Sequence, residues 1–99
     1  MCIRDRNWIA TVSPIVHLGA KLVFVDICPD SWCIDPKKVQ NAINKNTKAV
    51  IATHLYGNLC DISSLKKICS DAEIPLIEDA AEAIGSQIGI NKALSLIHI

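Results

Sequence analysis

Apolar positions along this chain alternate between two rhythms. Leu22-Val23-Phe24-Val25 followed by Asp26 is a continuous β-branched and aromatic run, and it predicts a buried strand. Asp35-Pro36 predicts a helix start, with Asp35 as N-cap and Pro36 at the first helical position, where a missing N–H costs nothing. Val39, Ala42 and Ile43 then recur at helical spacing until the polar Asn44-Lys45-Asn46. Ala49-Val50-Ile51-Ala52-Thr53-His54 predicts a second strand, closed by the turn-prone Tyr56-Gly57-Asn58. Asp61 or Ser63 can cap a second helix whose inner stripe is Ile62, Leu65, Ile68, Cys69 and Ala72. Pro75-Leu76-Ile77-Glu78-Asp79 predicts a third strand, followed by small residues and a turn at Gly85. Ahead of all these, residues 8–18 show helical apolar spacing broken by Pro14, with Gly19 as the stop.

Strands of about five residues joined by helices of about ten predict right-handed βαβ crossovers in a mostly parallel sheet. The three strands are apolar on both faces, as expected where helices cover each side. The fold class is therefore α/β, part of a three-layer sandwich, without internal repeats or linkers.

The two ends disagree with that picture. A codon choice for residues 1–6 has a reverse complement that encodes residues 94–99, Leu-Ser-Leu-Ile-His-Ile. Two ends of a gene have no reason to spell one oligonucleotide in opposite orientations, so both hexapeptides read as non-native tails left by a sequencing adapter. Residues 7–93 then form the native part, a window on one larger domain. Of ten basic and ten acidic residues, the tails hold Arg4, Arg6 and Asp5, leaving eight against nine and a net charge near −1. With no basic block, nucleic acid is not an expected partner. Apolar residues make up 51% of the chain, yet no run reaches the roughly 18–20 residues of a membrane span. Cys28, Cys33, Cys60 and Cys69 form no CxxC pair and lack zinc-finger spacing to histidine, so no metal is expected. Free thiols point to a reducing, cytoplasmic setting.

Ligands of open α/β sheets gather beyond the carboxyl ends of the strands, where Asp26, His54 and Asp79 fall. Neither a GxGxxG fingerprint, a P-loop nor a GxSxG elbow occurs. Asp79 is the sharpest candidate. A carboxylate there, followed by alanines that admit a flat ring, suits a protonated pyridine nitrogen, although the same residue could cap the following turn. A histidine at a strand end such as His54 is more often a satisfied structural residue than a site residue.

The chain resembles the DegT/StrS family of pyridoxal-phosphate-dependent sugar aminotransferases, of fold type I. The resemblance rests on ordered blocks: Asn7-Trp8-Ile9-Ala10-Thr11-Val12, Gly19-Ala20-Lys21-Leu22-Val23-Phe24-Val25-Asp26 and Asp30-Ser31-Trp32-Cys33-Ile34-Asp35-Pro36. Thr47-Lys48-Ala49-Val50-Ile51, His54-Leu55-Tyr56-Gly57 and Ile77-Glu78-Asp79-Ala80-Ala81-Glu82-Ala83-Ile84-Gly85 continue it. Each block is weak alone, but together they cover nearly all of residues 7–93.

The resemblance implies a fragment of the large, cofactor-binding domain and pyridoxal 5'-phosphate as cofactor. Asp79 would pair with the pyridine nitrogen and Trp8 would stack on the ring, with an ordinary core tryptophan as the lesser alternative for Trp8. Ala81 would pack on the opposite ring face, with His54 close by. Glu82 stands near the phenolic oxygen, where its carboxylate must be protonated or turned elsewhere; it could also be a solvated helix residue. Asp26 is expected to orient the next turn, while Trp32, Asp35 and Pro36 read as structural. Lys92 does not match the family's cofactor-binding lysine, which lies in a motif these residues do not contain. Neither the phosphate-gripping loop nor the C-terminal domain is present.

The parent enzyme is thus expected to move an amino group, commonly from glutamate, to a nucleotide-linked keto-sugar, working as a homodimer away from membranes. The fragment itself should be inactive. The alternatives are a sugar dehydratase of the same family, with histidine for the lysine, and a receiver-like binding domain. The latter lacks the expected acid pair and final lysine. A non-functional product of a mis-assembled read is also open for the literal chain.

Overall fold

The computed structural model describes residues 9–93, so Trp8 and both hexapeptides lie outside the described residues. A 3-10 helix, Ile9–Thr11, leads into α1 (Ser13–His17), which Pro14 starts and Gly19 ends in the left-handed conformation at φ +78°. α2 (Pro36–Ala42) begins as its sequence requires, with Asp35 Oδ1 accepting from the Lys37 N–H at 2.9 Å. α3 (Ile62–Asp71) is capped by Asp61, whose carboxylate accepts from the Ser64 N–H at 3.0 Å and its hydroxyl at 2.6 Å.

α3 connects two strands, β1 (Val50–Thr53) and β2 (Leu76–Asp79), which pair in parallel from Val50 opposite Leu76 to Thr53 opposite Asp79. This is the expected βαβ unit. Successive strand side chains point to opposite faces, and that alternation sorts the chemistry. One face carries Val50 and Ala52 beside Leu76 and Glu78. It packs into a core with Val39, Ile62, Leu65, Cys33, Cys60 and Cys69. Leu65 has no exposed surface, and burying such a side chain stabilises by about 1.5–3 kcal/mol. The other face carries Ile51, Thr53, Ile77 and Asp79, with the 3-10 helix and α1 lying over it. That cover is thin, since Ile77 remains 45% exposed.

Three features differ from the sequence reading. Residues 22–26 form no strand; the nearest pairing is an isolated antiparallel bridge between Ile27 and Ile34. The segment lies along β1 across an apolar cavity of about 620 Å³, so its main chain makes no ladder, and Val23 and Phe24 stay exposed. A run apolar on both faces needs a layer on each side, and the described residues do not supply both. β2 is not apolar throughout, because it buries Glu78. Finally, the residues after the Gly85 turn, for which no element was expected, form a hairpin, β3 (Gln87–Ile88) with β4 (Asn91–Lys92), which turns at Gly89.

Candidate functional site

The carboxyl end of β2 places Asp79 on the thinly covered face. Its two oxygens have separate donors: the Thr11 hydroxyl reaches Oδ2 at 2.5 Å, and the Ala81 N–H reaches Oδ1 at 3.2 Å. Its main-chain carbonyl accepts from the His54 N–H at 2.9 Å, which extends the sheet register by one residue. Beside it lies a mostly apolar hollow of about 400 Å³, walled by Thr11, Ile15, Ile51, Ile77 and Ala81. That volume falls within the roughly 300–1,000 Å³ of small-molecule sites. The acid is fixed from two sides at the rim of an apolar recess.

His54 follows β1 and turns the other way. It is 1% exposed, and its Nδ1 accepts from the Cys60 N–H at 3.0 Å. An acceptor at Nδ1 places the ring proton on Nε2, which donates to Glu78 Oε2 at 3.1 Å. Both ring nitrogens are therefore occupied beneath the sheet, and His54 does not line the hollow. Glu78 and Asp79, consecutive on β2, thus serve opposite faces.

Glu82 lies on the surface and clamps a turn. Tyr56 at φ +53° and Gly57 at φ +83° occupy its centre, closed by the Asn58 N–H donating to the Leu55 carbonyl at 2.9 Å. Two consecutive positive φ values favour glycine, and a non-glycine residue there costs about 1–2 kcal/mol. Glu82 offsets this for Tyr56, accepting from its N–H at 3.2 Å. The Glu82 carbonyl accepts from the Gly57 N–H at 3.0 Å, and the Ser86 hydroxyl donates to the Gly57 carbonyl at 3.0 Å.

Asp26 behaves as a local orienter: it accepts from the Ile27 N–H at 3.0 Å and pairs with Lys38 at 3.2 Å. Trp32 stands partly exposed. It is 44% exposed at φ +60°, and its ring meets Tyr56 with centroids 6.5 Å apart. Lys92 lies on β4, away from the hollow's walls.

Of the residues expected in the site, Asp79 and Ala81 meet at the hollow, Glu82 stands on the adjoining surface, and His54 lies below. Thr11 and Glu78 were missed as partners. Thr11 precedes Asp79 by 68 positions, so no spacing rule could join them.

Two thiols complete the underside. The Cys33 thiol donates to the Asn58 carbonyl at 3.5 Å and the Cys60 thiol to the Thr53 carbonyl at 3.2 Å, and their mutual influence holds Cys33 below the ordinary thiol range and pushes Cys60 above it. Burial raises Cys28 and Cys69. Among the described residues, no cluster of His, Cys, Asp or Glu could hold a metal ion, and no helix is long and apolar enough to cross a membrane.

Known proteins share both the sequence and the geometry. Residues 3–93 match the DegT/DnrJ/EryC1/StrS aminotransferase family, a range that takes in four residues of the first hexapeptide and none of the last. GDP-perosamine synthase of Vibrio cholerae is 45% identical over 86 residues, which are 87% of this chain and 23% of that protein. The crystal structure of DesI in the presence of its TDP-sugar product superimposes with a TM-score of 0.83 at 33% identity, covering 88% of this chain and 22% of DesI. GDP-4-keto-6-deoxymannose-3-dehydratase, solved with a trapped PLP-glutamate geminal diamine, gives 0.82 at 30% identity over 88% of this chain and 22% of that one. The chain therefore spans less than a quarter of the length of these relatives. Its strand–helix–strand unit is a piece of the fold type I architecture of pyridoxal-phosphate aminotransferases. By the match along its length and the shared fold, the chain belongs to the DegT/DnrJ/EryC1/StrS aminotransferase family.

Proposed function

We propose that this segment is part of a pyridoxal-phosphate-dependent enzyme that transfers an amino group, commonly from glutamate, to a nucleotide-linked keto-sugar. The observation that carries the reading is Asp79, oriented by Thr11 and Ala81 at the edge of an apolar hollow. The residues fit the cofactor. An ionised carboxylate accepts at about four positions, a chemistry that suits a pyridine N–H. The hollow is walled by flat-ring-compatible side chains, and the Ala81 methyl leaves room for close approach.

Bound there, the cofactor would supply an electron-withdrawing ring. Asp79 would keep the ring nitrogen protonated, and Thr11 would stop the carboxylate from rotating away. Trp8 would stack on the other ring face. Glu82 would hold the Tyr56–Gly57 turn beside the site; any contact with the phenolic oxygen requires its protonated form. His54 would act from beneath, bracing β2 through Glu78 and the Asp79 carbonyl.

The covalent lysine, the phosphate loop and a second subunit would come from outside these residues, so the chain alone should not transfer amino groups. Expressing residues 7–93 with cofactor, glutamate and a nucleotide keto-sugar tests that point, and turnover would overturn it. Amino transfer by the contiguous enzyme, lost in Asp79→Ala, tests the larger reading; retained transfer would reject it. The similarity to the dehydratase keeps dehydration as a second reading. A histidine in place of the lysine in the contiguous frame would select it.

A further inference from the structure

We propose that the cleft between residues 22–25 and β1 is a strand-acceptor slot, which takes up in trans one extended segment of about four apolar residues. Among the described residues, β1 is paired along one edge only, with β2. Its Val50 N–H donates to the Pro75 carbonyl at 3.0 Å, and the His54 N–H beyond it donates to the Asp79 carbonyl at 2.9 Å. Alternate residues of a parallel strand bond to the same side, so Ile51, next to Val50, turns its main chain to the opposite edge, toward the cleft. Residues 22–25 line the other wall. They have a strand's composition, yet among the described residues their main chain makes no hydrogen bond. Two edges without a ladder thus face each other across the apolar cavity of about 620 Å³.

The size of the gap selects its occupant. A strand residue advances about 3.3 Å, takes about 4.8 Å of sheet width and about 10 Å of sheet depth, roughly 160 Å³ in all. The cavity of about 620 Å³ therefore admits about four residues, the length of β1 and of the 22–25 run. No acidic residue lines it, and its charged residues are Lys21 and Lys48, each just ahead of a wall in sequence. The occupant is thus apolar on both faces through its middle, and an acid at its ends complements the lysines. A second copy fits poorly, because its open strand β2 would carry Glu78 and Asp79 into an apolar gap. The matched residues are 23% of GDP-perosamine synthase and 22% of DesI, so a contiguous protein of that kind has chain to supply the strand. Asp79 is not among the cavity's walls, and the slot stands or falls independently of the cofactor site.

The test is amide hydrogen exchange, read by NMR, on the ¹⁵N-labelled 99-residue chain with the peptide acetyl-Glu-Val-Ile-Val-Val-Glu-amide. With about 1 mM peptide, exchange at Ile51 and at alternate amides of residues 22–25 should slow at least about tenfold, because new ladder bonds protect them. The same peptide N-methylated at alternate amides keeps its apolar surface but loses donors, and it should protect neither wall. Decanoate fills an apolar cavity without offering main-chain groups, and it should also leave exchange unchanged. Slow exchange at Ile51 in the monomeric chain alone would mean that the walls close on each other, and would overturn the proposal. Equal protection by the N-methylated peptide or by decanoate, dimerisation that protects Ile51 without peptide, or no slowing with peptide would overturn it too.

Discussion

Replacing His54 with leucine would strand two buried groups at once. Glu78, with 3% side-chain exposure, would lose its only hydrogen-bonded side-chain partner among the described residues, at 3.1 Å, and the Cys60 N–H would lose the acceptor at 3.0 Å. Removing one member of a buried pair costs about 3–5 kcal/mol, and an orphaned buried amide about 1–3 kcal/mol. The two overlap because the side chains can relax together, so about 4 kcal/mol is expected, against a total of roughly 0.05–0.15 kcal/mol per residue. For 99 residues that total is about 5–15 kcal/mol, so the leucine variant should stay mostly folded in buffer but unfold at a much lower urea concentration. Adding Glu78→Met removes the stranded carboxylate and leaves only the amide, so the double variant should regain about 2–3 kcal/mol. Glu78→Gln keeps an acceptor for Nε2–H and should cost only about 1 kcal/mol. Urea titration followed by tryptophan fluorescence and circular dichroism reads all four proteins. The sign of the second substitution decides: a double variant no more stable than His54→Leu would refute the buried pairing.

Other substitutions probe the remaining elements. Asp61→Ala removes the α3 cap and should cost about 1 kcal/mol by urea titration. The Ser64 hydroxyl and amide hold Asp61 below the ordinary carboxylate range, so its stabilisation is complete above the unfolded pKa of about 3.9. It is lost as pH falls through the lower folded value, and Asp61→Asn should flatten that acid limb. Leu65→Ala should cost about 2–5 kcal/mol by leaving a cavity in the core, measured by the same titration. Thr11→Val in the contiguous enzyme should weaken cofactor retention, measured by dialysis and absorbance, with little change in thermal unfolding of the cofactor-free form.

What could be read from the chain was local. Asp35-Pro36 and Asp61 announced their helices because a cap and its amide lie within three residues of each other. β1 and β2 announced themselves by short apolar runs, and the tip of β2 placed Asp79 before any coordinates did. What could not be read was pairing at a distance. His54 meets Glu78 across 24 positions and Thr11 meets Asp79 across 68, and in each case the sheet and its helices make the introduction. Residues 22–26 failed for the converse reason. Their pattern is strand-like, but a strand exists only where a neighbour offers its main chain, and here a cavity intervenes. The β3–β4 hairpin was hidden because two-residue strands are too short to show alternation.

The most direct measurement is the protonation of the cofactor's ring nitrogen in the contiguous enzyme, read by ¹⁵N NMR with labelled pyridoxal phosphate. With Asp79 in place, the nitrogen should be protonated at neutral pH, and Asp79→Asn should leave it unprotonated and slow amino transfer by ~100-fold or more. An unprotonated nitrogen in the unsubstituted enzyme, or an asparagine variant with unchanged spectrum and rate, would contradict the role given to Asp79.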